Sequence, residues 1–191
     1  MPIANEAPFL VTLGFDPATF DRLDRLRARY FPADRNLVPA HLSLFHHLPG
    51  GEGPAIDEAL AEVARASGPI PLAFAHPKRT GRGMMVEVGA SGLAAIRSAI
   101  ARRFAAALTD QDRQPFRPHV MLMNKADRAE VDSAYAEIRA TWAPWSGLGD
   151  RIILWRYLGG PWEEVESYEL TGDVAPATSD LPSSPTEGRG A

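Results

Sequence analysis

The sequence predicts one bilobal domain of mixed helix and strand over residues 1–170, followed by a disordered tail over residues 171–191. Three observations predict it. Short β-prone runs alternate with amphipathic helical stretches. A strand, helix, polar loop, strand pattern occurs twice. The composition changes abruptly after about residue 170.

The elements follow in order. Phe9 to Phe15 is apolar and β-prone, a first strand. Asp16-Pro17 supplies an N-cap and a proline suited to a first helical turn. Phe20, Leu23, Leu26 and Tyr30 then recur at helical spacing, and Pro32 ends the helix. A polar loop leads to Pro39, and His41 to Leu48 reads as a strand closed by Pro49-Gly50-Gly51. A helix is predicted near Ile56 to Ala66, ended by Gly68-Pro69. Strands follow near Ile70 to Ala75 and Gly83 to Val88, with the basic segment HPKRTGR as a loop between them. A long helix is predicted over about 91–108, with Leu93, Ile96, Ile100 and Phe104 on one face. The polar segment TDQDRQPFRP leads to a strand from His119 to Asn124, then a helix over about 128–142. Strands near Arg151 to Leu158 and Trp162 to Leu170 are joined by Gly159-Gly160-Pro161. From Thr171 the chain is rich in Pro, Ser, Gly and Thr, the composition of a disordered tail.

The repeat is the informative feature. Phe9 lies 32 positions before His41, and Met84 lies 35 before His119. Each interval holds a strand, an amphipathic helix and a polar loop, and each ends with a histidine entering a strand. Two such units would pack as pseudo-symmetric lobes, with their histidines at equivalent points.

Composition limits the function. The net charge is −4, which argues against an extended duplex nucleic-acid surface but leaves room for a small anionic ligand. The absence of cysteine excludes disulfides, thiolate metal sites and cysteine nucleophiles, and fits a cytoplasmic setting. The N-terminal segment does not read as a signal peptide, and no apolar run approaches the ~20 residues that span a bilayer. No membrane contact and a monomer are expected.

In a strand, residues two apart share a face. His41, Ser43, Phe45 and His47 would share one face, opposite the mostly apolar Leu42, Leu44, His46 and Leu48. His119, Met121, Met123 and Lys125 would share the equivalent face of the second strand. The two histidines are 78 positions apart.

This pairing resembles the two-histidine (2H) phosphoesterase superfamily, in particular its bacterial 2′-5′ RNA ligase-like branch. His41-Leu42-Ser43-Leu44 is similar to the family's first motif, and Pro118-His119-Val120-Met121-Leu122 to the second. The resemblance spans roughly Pro8 to Leu170. It implies an α+β fold in which two antiparallel sheets line a central cleft with helices outside. It also implies cofactor- and metal-independent phosphodiester chemistry on a nucleotide or RNA terminus bearing a 2′,3′-cyclic or 2′-5′ phosphate. His41 and His119 would be the catalytic pair, because an imidazole titrates near neutrality and can serve as base or acid. Ser43 would hold a phosphoryl oxygen. The sequence departs from the pattern at Met121, where the family has Thr or Ser. A thioether donates no hydrogen bond, so an alternative is a nucleotide- or RNA-end-binding protein with impaired turnover. Lys125, on the same expected face, is the compensating phosphate contact.

Other residues leave alternatives open. Phe45 either stacks on a base or edges the core. His47 either lines the cleft rim or is simply solvated. His46 and His47 lie beside His41 without a shared face or a nearby carboxylate, a poor zinc arrangement. Arg82 and Arg117 have no parity argument, and His76 reads as loop. Trp155 and Tyr157 share one face of their strand, Arg156 the other, and one of these faces packs in the core.

Overall fold

The computed structural model describes residues 7–173. The first strand, β1, is Phe9–Phe15, and α1 is Pro17–Tyr30. The Asp16 side chain accepts a hydrogen bond from the Ala18 amide at 3.2 Å, the expected cap. Then come β2 (Leu42–Leu48), α2 (Gly53–Arg65), β3 (Ile70–Thr80), β4 (Gly83–Ala90), α3 (Leu93–Arg103) and the short α4 (Asp110–Arg113). The chain continues with β5 (His119–Met123), α5 (Arg128–Thr141), β6 (Trp145–Tyr157) and β7 (Trp162–Glu169). None of these helices is long and apolar enough to cross a membrane.

All strand pairs are antiparallel, in the order β2-β1-β6-β3-β4-β5, with β7 also paired to β6. The two expected sheets are present and share one long strand. The C-terminal part of β6 pairs with β1 and β7, and its N-terminal part pairs with β3. The sheet curls, and its two end strands, β2 and β5, come into contact. Helices pack outside, and one apolar core runs through both lobes, from Val11, Leu42 and Leu60 to Val86, Ile100 and Leu122.

Several elements differ from expectation. The segment HPKRTGR is not a loop: β3 runs on to Thr80, and the turn is Gly81-Arg82. Pro77 is accommodated because the β3–β4 register shifts between Phe74 and Pro77, and a bulge tolerates a missing amide donor. The helix predicted to 108 ends at Arg103, and α4 forms within the expected polar loop, capped by the Thr109 hydroxyl. The first residues assigned to the tail are bonded to the body of the fold. The Thr171 amide donates to the Ala64 carbonyl and the Gly172 amide to the Ser67 carbonyl, tying these residues to the end of α2. The rest of that segment, 174–191, lies outside the described residues.

Both histidine-bearing strands break alternation at the same place. In β2, Ser43 pairs with Thr12 and Phe45 with Val11, so Leu44 is the extra residue of a bulge. In β5, Met121 pairs with Met85 and Met123 with Met84, so Leu122 is extra. A bulge sets two residues against one and reverses the parity beyond it. Each bulge falls three residues after a histidine.

As end strands, β2 and β5 carry backbone groups with no ladder partner. Asp112, 2% exposed, covers part of the β2 edge. Its carboxylate accepts from the His46 amide at 2.9 Å, the His46 Nδ1 at 3.0 Å and the His47 amide at 3.0 Å. Burial alone would raise the Asp112 pKa, but the bonds from the His46 ring and the two amides outweigh it and hold the carboxyl below its ordinary value. A depressed carboxyl contributes stability above its unfolded pKa and loses it as pH falls through the folded one. Asp112→Ala removes the acceptor of four donors, the Thr109 hydroxyl included, and is expected to cost about 2–4 kcal/mol in urea unfolding at pH 7, with a smaller loss in strong acid. Equal stability of wild type and variant at pH 7 would contradict this role.

Candidate active site

The two histidines enter their strands through the same local geometry. His41 stands immediately before β2, and His119 opens β5. The His41 Nδ1 lies 2.7 Å from the Pro39 carbonyl oxygen, and the His119 Nδ1 lies 2.8 Å from the Arg117 carbonyl oxygen. A carbonyl oxygen only accepts, so each Nδ1 carries a hydrogen and donates it. Each ring is therefore anchored by the carbonyl two residues back, and Nε2 is the nitrogen left to exchange a proton. The strands that follow the two histidines, β2 and β5, are in contact, and a charge on His119 would lower the His41 pKa.

His41 is half-buried beneath an aromatic ring: the Trp162 centroid is 4.7 Å away, tilted by 51°. Burial pushes its pKa down to about 4. The bond to the Pro39 carbonyl opposes that, while the charges of Arg27, His46 and His119 add to it. His41 is thus neutral at pH 7, with an available Nε2 lone pair.

The positions two beyond the histidines are both half-buried and differ in chemistry. Ser43 is paired across the ladder with Thr12, whose hydroxyl oxygen accepts from Trp155 Nε1 at 2.9 Å. Met121 is paired with Met85. Hydroxyls flank His41, and thioethers flank His119.

The structure does not bring Phe45 and Lys125 to this site. Phe45 is fully buried in the core beneath the Arg97 guanidinium, because the bulge at Leu44 turns it away from the His41 face. Lys125 lies beyond the end of β5, exposed and in the left-handed region at φ 58°, so strand parity does not apply to it. His47 is exposed, and His46 is held by Asp112. Arg82 and Arg117 are exposed. Trp155 is buried, while Tyr157, the last residue of β6, is exposed.

Sequence reasoning missed several neighbours. Trp162 reaches His41 from the far strand of the β6–β7 hairpin, a contact no local periodicity encodes. Glu87 stands directly opposite His119 and pairs with Lys78, which belonged to the segment read as loop. A cavity of about 350 Å³ opens beside His41, lined by Phe20, Pro39, Ala40, Arg151, Trp155 and Glu164. Gly14 leaves room there: a Cβ at that position would lie 2.5 Å from the Arg151 Cγ.

A curled antiparallel sheet with helices outside and a histidine at the same point of each lobe defines the class of two-histidine phosphoesterase folds. Residues 15–161 match the 2′-5′ RNA ligase superfamily, and the chain belongs to that family. Among solved structures, TT0787 of Thermus thermophilus is similar at 18% identity with a TM-score of 0.64, covering 87% of this chain and 99% of its own. E. coli LigT complexed with 3′-AMP is similar at 17% identity with a TM-score of 0.60, over 87% and 99% of the two chains. A structure described as a phosphoesterase gives 17% identity and a TM-score of 0.59 over the same shares. No curated protein matches the chain in sequence.

The burial of His41 carries a sign. A histidine whose folded pKa is lowered binds fewer protons when folded, so its burial costs nothing above about pH 6.5 and destabilises progressively as pH falls toward about 4. The His41 Cε1–H resonance is expected to titrate near 4, and Trp162→Ala to move it up toward the ordinary histidine value. A wild-type midpoint near the ordinary histidine value would contradict the described packing.

Proposed function

We propose that this chain is a phosphodiesterase acting on 2′,3′-cyclic or 2′-5′-linked phosphodiesters of nucleotides or RNA ends, with His41 and His119 as its proton-transfer pair. The observation that carries the reading is the matched anchoring of the two rings, each donating Nδ1–H to a carbonyl and leaving Nε2 toward a ligand. The family is built around such chemistry, and LigT, of the same fold, forms complexes with 3′-AMP, ATP, NADP+ and phosphate.

A neutral imidazole accepts a proton rather than donating one, so His41 is the base. Its Nε2 takes a proton from water as the water oxygen bonds to phosphorus. The bond from phosphorus to a ribose oxygen breaks, and His119, protonated at Nε2, donates that proton to the leaving oxygen. Ser43 donates its hydroxyl to a phosphoryl oxygen as charge builds there. Both proton transfers fall to side chains, so turnover is expected to survive EDTA.

Met121 favours a second reading, a nucleotide-end-binding protein with weak turnover. The Met121–Met85 pair offers no donor where a hydroxyl would hold the phosphate, and one missing donor of this kind costs roughly 10²–10³ in rate.

The test is a panel of nucleoside 2′,3′-cyclic phosphates and 2′-5′-linked dinucleotides. His41→Ala and His119→Ala are each expected to lower kcat/KM by roughly 10²–10⁴. For wild type, kcat/KM should rise with pH as free His41 loses its proton near 4. Met121→Thr should raise kcat, and binding without turnover in wild type that Met121→Thr converts to hydrolysis would select the second reading. Equal activity of wild type and the double histidine variant would remove the first.

A further inference from the structure

We infer that Arg27 and Arg97 are a reciprocal pair of positioning residues that cross between the lobes and fix the spacing of His41 and His119. Each guanidinium holds the loop that delivers one histidine and the strand that carries the other.

Arg27, on α1, is 2% exposed. Its Nη2 donates to the Asn36 Oδ1 at 2.8 Å and to the Val38 carbonyl at 2.9 Å, both in the loop that ends at His41. Its Nη1 donates to the Met121 carbonyl at 2.7 Å, two residues after His119 in β5. One rigid planar group therefore spans both halves of the site. The same helix holds the residue before His41, with the Asp24 carboxylate accepting from the Ala40 amide at 3.1 Å.

Arg97, on α3, makes the mirrored set. Its Nε donates to the Leu44 carbonyl at 3.0 Å, in the strand of His41 and at the bulge itself. Its Nη2 donates to the Asp112 carbonyl, and its guanidinium lies 5.0 Å from the Phe116 ring, both in the segment that leads to His119. The acceptors Met121 and Leu44 belong to end strands of the sheet that pair with no further strand among the described residues. A water molecule could satisfy such a carbonyl, but it would not tie one lobe to the other. Burying a guanidinium is costly unless its donors are used; the two Nη atoms of Arg27 are bonded while its Nε has no partner among the described residues, and one bond from each arginine runs to a strand that carries a histidine. Lysine, a point charge without the planar fork, cannot make all of the Arg27 bonds at once.

The proposal rests on the phosphodiesterase reading only where turnover is measured. The native chain has no cysteine, so cysteines at exposed His47 and Lys125, on the two histidine-bearing segments, take spin labels cleanly. Wild type should give one narrow label-to-label distance, and Arg27→Lys and Arg97→Lys should each broaden or shift it. In the unlabelled proteins each lysine variant should lower kcat roughly tenfold to hundredfold with KM within about twofold, the pattern of a misplaced catalytic group. The His41 titration midpoint should rise in Arg27→Gln, which removes the charge that helps hold it down, more than in Arg27→Lys. Should Arg27 variants fail to fold, Arg97→Lys reads the same distance and the same kcat. An unchanged distance in a folded lysine variant overturns the proposal, whatever its activity. A broadened distance alongside a wild type that turns nothing over supports the struts and removes the phosphodiesterase reading instead.

Discussion

Two of the strand edges that find no strand partner among the described residues govern this molecule. The curled sheet ends in β2 and β5, and those are the strands that carry the histidines. Their stray backbone groups are satisfied by side chains: Arg97 and Asp112 on β2, Arg27 on β5. These bonds occupy edge groups that would otherwise be open to intermolecular pairing, and under the role proposed for the two arginines they tie each lobe to the other and set where the imidazoles stand.

The two halves are equivalent in backbone and divergent in side chains. Both histidines donate Nδ1–H to the carbonyl two residues back, and both strands bulge three residues beyond. Around that shared frame, His41 has hydroxyls, a tryptophan ring and a cavity beside it, while His119 faces Glu87 and a pair of methionines. Two chemically identical groups thus sit in different environments, and an imidazole desolvated beneath Trp162 is suited to accepting a proton.

Much of this was legible in the sequence because it is local. The cap at Asp16, the apolar face of α1 and the strand-entering histidines follow from spacing and turn chemistry. The repeat, with a histidine ending each unit, led to the bilobal fold. Phe45 and Lys125 depart from expectation because parity assumes a regular, continuing strand: a bulge at Leu44 turns Phe45 into the core, and Lys125 lies beyond the end of β5. The basic segment of β3 looked like a loop because proline and glycine mark turns, yet a bulge absorbed Pro77. Trp162, Glu87 and the bonds of Arg27 were invisible because they join residues distant in sequence.

If the two imidazoles act together on one phosphoryl group, they must sense the same anion. Titrating inorganic phosphate while following the ring nitrogens of both histidines by NMR tests this most directly. The Nε2 signals of His41 and His119 are expected to shift with a single common affinity, and His119→Gln is expected to weaken the response of His41. Signals that move independently, or a phosphate that perturbs only one ring, would contradict it.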